Sequence, residues 1–409
     1  MQDLLLIPGP VAVAPDVLAA GAQPMRNHRG PFAQELYANL EAKLKVIFQT
    51  EQQVLLLGAS GTGGLEALVV NLFSPGDRLL ALPFGAFGDR IVAIARAYGA
   101  DVEVIDTEWG SPPNPATLRD RLAGDRRHAI KGVLLTHNET STGVLADLRA
   151  LALARAGHPA LFVVDSVSGT GATDLRMDEW ELDAVVTASQ KALAGVPGAA
   201  MVVLSERAWR AAESAAMPRF YFDLRRAREA AKKGQTAWTP PFSCLLALER
   251  ATDNYMKEGR QSAFARHALF AEAFRAGCTA LGLDLFAQAG TFSPTVTAIR
   301  APRDVQVREL QSRLRDRYGI SVGGGQLKLD GRIFRIGNMG AIGPRDIIGA
   351  LGALEMTLAD IGLRVAAGSA AGAAATVLSS REIQERRAQT LADPSTVRSA
   401  TGRETIASS

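Results

Sequence analysis

Between about residues 50 and 205 the chain alternates short, almost wholly apolar runs with longer stretches whose apolar positions recur at helical spacing. Residues 54–57, 79–82, 102–105, 132–136, 161–165, 184–187 and 200–204 read as strands, with helices filling the gaps. Strands that are apolar at successive positions are covered on both faces. The pattern therefore predicts an α/β fold, a mainly parallel seven-stranded sheet flanked by helices. From about residue 260 the rhythm changes. A long helix, a strand over 295–299, a helix near 305–318, short strands near 320 and 333 and a helix from 343 to about 362 predict a smaller α+β C-terminal domain. Beyond Gly362, Ala, Gly and Ser dominate, as in Ala366-Ala367-Gly368-Ser369-Ala370-Ala371-Gly372-Ala373, which reads as a linker. Residues 381–391 suit one short charged helix, and the remainder to Ser409 has too few large apolar groups to order itself. The expected organisation is an N-terminal segment 1–15, a large domain 16–258, a small domain 259–362 and a largely disordered tail 363–409.

With 409 residues, 47% hydrophobic and 21% charged, the chain has ample core for two such domains. Its 45 basic and 42 acidic side chains nearly cancel, and no basic stripe is interleaved with aromatics. Nucleic acid is therefore not an expected partner, and small metabolites are. Cys244 and Cys278 are the only cysteines, there is no CxxC, and the five histidines are scattered. That predicts neither a disulfide framework nor a metal site, and it suits a reducing, cytoplasmic setting. The opening Met1-Gln2-Asp3-Leu4-Leu5-Leu6-Ile7-Pro8-Gly9-Pro10 lacks a basic leader, and no apolar run reaches membrane-spanning length.

Two residues at predicted strand ends carry candidate chemistry. Asp165 closes the run 161–165, and Lys191 follows the run 184–187 in Thr187-Ala188-Ser189-Gln190-Lys191. Taken singly, such an aspartate is a turn or cap residue and such a lysine a surface group. Together they supply what pyridoxal phosphate chemistry requires, an amine for a Schiff base and a carboxylate for the pyridinium nitrogen. Gly58-Ala59-Ser60-Gly61-Thr62-Gly63-Gly64 lies directly after the first strand of this region and opens a helix bearing Leu65, Leu68, Val69 and Leu72. Backbone amides at such a helix start receive an anion. The run lacks the Gly-Lys-Ser/Thr ending of a nucleotide loop and the acidic residue of a dinucleotide fingerprint. A capped glycine turn is the plain alternative.

These residues, with four further segments, resemble in their order along the chain the class V aminotransferases of pyridoxal phosphate fold type I, particularly the alanine–glyoxylate and serine–pyruvate or serine–glyoxylate group. The resemblance covers about residues 4–362. It runs through Pro8-Gly9-Pro10-Val11, Asn27-His28-Arg29-Gly30-Pro31, Ser60-Gly61-Thr62-Gly63, Thr136-His137-Asn138-Glu139-Thr140-Ser141-Thr142-Gly143, Val164-Asp165-Ser166-Val167-Ser168, Ser189-Gln190-Lys191 and Phe334-Arg335-Ile336-Gly337. It implies a transaminase that moves an amino group from serine or alanine to glyoxylate or pyruvate by a ping-pong route, with pyridoxal 5'-phosphate as cofactor.

By position, the resemblance makes Lys191 the cofactor-bearing lysine and Asp165 the partner of the pyridine nitrogen. Val167 and Phe87 take the two ring faces; relatives often carry tryptophan where Phe87 stands. Ser60, Gly61, Thr62 and Gln190 match phosphate contacts, and Thr140 the neighbourhood of the phenolic oxygen. Thr239 and Thr236, in Thr236-Ala237-Trp238-Thr239-Pro240-Pro241, match a loop that completes the phosphate site of a neighbouring subunit, which implies a homodimer. Tyrosine can replace Thr236 in relatives. Arg335 matches the grip on the substrate α-carboxylate, a task suited to a planar guanidinium. His28 borders the substrate mouth. Cysteine desulfurases, also class V, carry His before the lysine and a mobile-loop cysteine, whereas here Gln190 precedes Lys191 and no cysteine follows Cys278. A transaminase for aspartate, 2-aminoethylphosphonate or ureidoglycine, a lyase on the same cofactor, and a non-catalytic binding subunit remain alternatives.

Overall fold

The computed structural model describes residues 3–379. The chain opens on β1 (Leu4–Leu6); β2 (Val54–Gly58), β3 (Arg78–Ala81), β4 (Asp101–Val104) and β5 (Ile130–Thr136) follow. A two-residue pair, β6 (Asn138–Glu139) and β7 (Val144–Leu145), precedes β8 (Leu161–Asp165), β9 (Ala184–Ala188) and β10 (Ala199–Leu204). β11 (Val296–Arg300), β12 (Ile320–Gly324) and β13 (Ile333–Gly337) belong to the second half.

β2, β10, β9, β8, β5, β3 and β4 lie side by side in one sheet, in that order. Only β10 runs against its neighbours. All seven correspond to the apolar runs read from the sequence. Their side chains alternate between two cores. Val133, Leu135 and Val164 join one with Leu40 and Leu44 of the helix Pro31–Phe48. Leu134, Val163 and Val186 join the other with Leu65 and Leu68 of the helix Gly61–Leu72. Successive positions thus bury on opposite faces, which is why these strands read as unbroken apolar runs.

β1, β12, β13 and β11 form a second sheet in that order, with β1 parallel to β12 and the other pairs antiparallel. Leu6, Phe274, Leu310, Phe334 and Leu354 share its core, so the helices Arg260–Ala280, Val307–Tyr318 and Pro344–Asp360 cover it. The strand at Leu4–Leu6 was not expected. Three apolar residues carry no periodicity, and the partner Ile320–Val322 is remote in sequence.

A correction concerns the tail. Residues 369–379 form a helix rather than a linker. Ala370, Ala374 and Leu378 recur at helical spacing and are buried in the second core, and Ala370 passes close to Gly277. The Glu355 carboxylate accepts the Gly368 and Ala370 amides at 2.6 and 3.2 Å, capping the new helix from outside its own sequence. Small side chains read as spacer composition because they were packing in a shallow gap. The helix expected over 381–391 lies outside the described residues.

Candidate functional site

Asp165 and Lys191 leave adjacent parallel strands at the same end of the large sheet. Asp165 ends β8, level with Thr136 of β5 and Val186 of β9, and Lys191 stands just beyond β9. Helices flank both faces of such a sheet, so its carboxyl edge is where a ligand finds room. Asp165 is 5% exposed and accepts the Val167 amide at 2.9 Å. Burial pushes its carboxyl up to about 6, against the Val167 amide and the cations Lys191 and Arg90. Burial likewise brings the Lys191 amine down to about 8; Asp165 opposes this, and Arg335 and Arg90 assist it. The pair thus holds a neutral-prone amine beside a carboxylate that lacks an adequate cation.

The turn bearing Lys191 is tightly made. Ser189 Oγ donates to the Val196 carbonyl at 2.6 Å, and Ala194, whose amide reaches the Lys191 carbonyl at 2.9 Å, is held at φ 54°. A non-glycine residue in that left-handed region is strained, and it keeps the turn sharp. Gln190 lies half-buried at the lysine's shoulder. Lys191 Nζ donates to the Pro8 carbonyl. A Cβ at residue 9 would stand 2.5 Å from Nζ, and φ there is +113°, so only glycine fits.

The helix Gly61–Leu72 begins at the same end of the sheet. Ser60 caps it, its Oγ accepting the Gly63 amide at 3.4 Å, while the remaining first-turn amides have no partner within the helix. A Cβ at residue 61 would lie 2.7 Å from Val167 Cγ2, and one at residue 64 would lie 2.6 Å from Val186 Cγ2. The two glycines let the helix start sink against the sheet. Arg90 Nη1 donates to Thr62 Oγ1 at 3.1 Å, and its guanidinium lies 4.7 Å from the centre of the Phe87 ring. Positive charge and unmatched amides converge here, the arrangement that receives a phosphate.

Arg335, in the middle of β13, is 6% exposed. Its Nε and Nη1 donate to the carbonyls of Gly324 and Thr140 at 2.7 and 2.9 Å. Burial lowers it to about 10, with Glu139 pulling the other way. A buried guanidinium satisfied by carbonyls alone is short of an anion. Thr140 is itself buried.

Contacts thus link Asp165, Val167, Gly61 and Thr62, with Arg90 joining Thr62 to Phe87; Arg335 meets Thr140, and Lys191 meets Pro8 while sharing its electrostatic field with Asp165, Arg90 and Arg335. His28, Thr236 and Thr239 belong to a second cluster. The Tyr37 hydroxyl donates to the His28 carbonyl at 2.9 Å, Thr236 Oγ1 donates to the Trp238 carbonyl at 2.8 Å, and Thr239 is exposed. Sequence reasoning missed Arg90 and Glu139 as residues with a role. Arg90 stands three positions after Phe87 on one helix, and that spacing was a signal it shares the Phe87 face.

The parallel sheet, the strand-end lysine and aspartate and the glycine-opened helix define a pyridoxal phosphate enzyme of fold type I. Residues 18–327 match the family Aminotransferase class-V, and the chain belongs to that family. Among curated relatives it is 41% identical to the "Soluble hydrogenase, small subunit" of Synechococcus sp. over 93% of this chain and 100% of that one. It is 37% identical to the L-aspartate–glyoxylate aminotransferase of Paracoccus denitrificans over 91% and 95% of the two chains. The solved pyridoxamine–pyruvate aminotransferase of Mesorhizobium loti matches with a TM-score of 0.88 at 29% identity, covering 93% and 98%. The hydrogenase name belongs to that relative; among the described residues here no three His, Cys, Asp or Glu side chains are grouped to hold a metal.

The protein is therefore an aminotransferase whose cofactor is pyridoxal 5'-phosphate and whose substrates are an amino acid and a 2-oxo acid. The residues present fit that group: a buried carboxylate without a sufficient cation, a buried amine and an anion-receiving helix start. No helix among the described residues is long and apolar enough to cross a membrane.

Proposed function

We propose that the chain works as a cytoplasmic homodimer that passes the amino group of a small amino acid, serine or alanine, to glyoxylate or pyruvate. The observation that carries this reading is the Lys191 amine, held neutral-prone by burial between Asp165 and the Pro8 carbonyl. Pro8 and Gly9 close down the space about Nζ, which suits a donor with a small side chain. Both cysteines are free and buried, in keeping with a reducing compartment.

The bound cofactor supplies a carbonyl that captures amines and a ring that accepts electrons from the donor Cα. Lys191 Nζ would hold the cofactor and would serve as the general base for the donor's Cα proton. Asp165 holds a proton on the ring nitrogen, an ion pair that relieves the cost of its own burial. Val167 and Phe87 would hold the ring, and Thr140 would serve its phenolic oxygen. Ser60, Gly61, Thr62 and Gln190 receive the phosphate. Arg335 grips the α-carboxylate, which fixes Cα within reach of Nζ.

Thr236 and Thr239 of a second copy complete the phosphate site, and His28 borders the substrate mouth. The support for the dimer is the surface around that loop. Phe220 is 66% and Tyr221 46% exposed, with the Phe220 ring stacked 5.2 Å from Trp238. An exposed aromatic cluster of this kind suits an interface core.

Aspartate as donor is the second reading, favoured by the similarity to the L-aspartate–glyoxylate enzyme. To test both, the visible spectrum of the purified protein is recorded while serine, alanine, aspartate and 2-aminoethylphosphonate are added separately. Serine or alanine should discharge the cofactor band fastest. Discharge by aspartate alone moves the donor, and no band even after added pyridoxal phosphate overturns the reading.

A further inference from the structure

The link between Phe87 and Arg335 is carried by a residue to which neither the family match nor the sequence assigns a task. Glu139 is 0% exposed and its carboxylate has all its acceptor positions in use. Oε2 accepts the amides of Phe87 and Gly88, both at 3.0 Å. Oε1 accepts the Ser141 amide at 3.0 Å and the Ser141 hydroxyl at 2.6 Å. That hydroxyl in turn accepts the Ala86 amide at 2.8 Å. The first three amides of the helix Ala86–Ala97 are thus held by one carboxylate and its serine. A helix start favours negative charge, and four donors offset its desolvation. Gly85 permits the approach, since a Cβ there would lie 2.2 Å from Glu139 Cγ.

The next residue reaches the other way. The Thr140 carbonyl accepts Arg335 Nη1 at 2.9 Å. Further along the same loop the Gly143 carbonyl takes the Ser293 amide and the Leu145 amide reaches the Thr291 carbonyl, both at 2.8 Å. A Cβ at Gly143 would lie 3.0 Å from Ala298 Cβ of β11, and φ is +74°. Residues 138–145 therefore form a strap fastened at one end to the helix bearing Phe87 and at the other to the sheet bearing Arg335.

We propose that Glu139 is a positioning residue that couples the two: through this strap it sets the Phe87 ring and the Arg335 guanidinium in one mutual geometry. The proposal rests on the reading of Phe87 as a ring-stacking residue and Arg335 as the carboxylate grip. Glu139→Gln keeps the shape but turns an amide NH2 toward backbone donors, so at least one of them loses its acceptor.

The test measures two affinities: pyridoxal phosphate by its visible band, and α-methylalanine, which has no Cα proton and so stops at binding. Phe87→Ala should weaken mainly the first and Arg335→Lys mainly the second. Glu139→Gln should weaken both, each by roughly tenfold, and in its presence Phe87→Ala should cost less than it does in the parent protein. Loss of only one affinity, or a Phe87→Ala cost that is unchanged, overturns the coupling and leaves Glu139 a helix cap. If Glu139→Gln does not fold, Ser141→Ala takes its place, with roughly threefold losses in both affinities expected; no loss in either overturns the proposal. A parent protein that takes up no pyridoxal phosphate overturns the underlying reading and the coupling with it, whereas uptake by the parent with a one-sided Glu139→Gln removes the coupling alone.

Discussion

Two parts of this molecule meet a ligand in opposite ways. Around Lys191 the groups that carry the chemistry are largely buried and held by backbone partners, Asp165 by the Val167 amide, Lys191 by the Pro8 carbonyl and Arg335 by the Thr140 carbonyl. Around Thr236 and Thr239 the surface carries exposed aromatic rings, with Phe220 66% and Tyr221 46% exposed and both stacked on Trp238. The first region is closed by its own chain's residues, the second lies at the surface, and the site read from the sequence draws on both.

The difference is sharpest under substitution. Lys191→Ala should lower turnover at least a thousandfold, since it removes both tether and general base, while the melting temperature of the apoprotein holds or rises because a buried amine has gone. Near-normal turnover in a single-turnover assay would remove Lys191 from the chemistry. Arg335→Lys comes next: losing a planar two-point grip should lower kcat/KM roughly a hundredfold, mostly through KM. A change confined to kcat would place Arg335 elsewhere in the cycle.

A pH series probes the buried region alone. The Lys191 amine sits at about 8, so below that pH its neutral, nucleophilic fraction falls. Cofactor capture by apoprotein should slow about tenfold per pH unit between 7 and 6 and level off above about 8.5. A rate flat across that range would place the amine's transition elsewhere. At the surface region effects should be smallest. Thr239→Val should weaken cofactor retention about threefold to tenfold, and in the proposed dimer the loss should be the same in both copies. Mixing it with Lys191→Ala and titrating mixed dimers would tell whether the threonine acts in its own chain or across the interface.

The strands of the large sheet were legible because burial on both faces leaves nearly every position apolar, the edge strand β4 with Asp101 and Glu103 excepted. Asp165 and Lys191 were legible because each stands where such a run stops. β1 was not, because its partner Ile320–Val322 is far along the chain and nothing local marks it. The helix 369–379 was hidden by its composition: Ala and Gly pack closely against Gly277 while looking like a spacer. Arg90 was missed for a different reason. Its contacts with Thr62 and Phe87 join a helix start to a neighbouring helix, and motif reading treats those segments one at a time.

The register of β1 also has a consequence in time. Leu4–Leu6 leave the ribosome well before Ile320–Val322 and have no strand to join until those follow, roughly a quarter to a full minute later at about 5–20 residues per second. Pro8 and Gly9, which close over Lys191, are carried by that strand. The large sheet can therefore assemble before Pro8 and Gly9 are fixed over the amine, and the pocket is shut only once Ile320–Val322 have emerged.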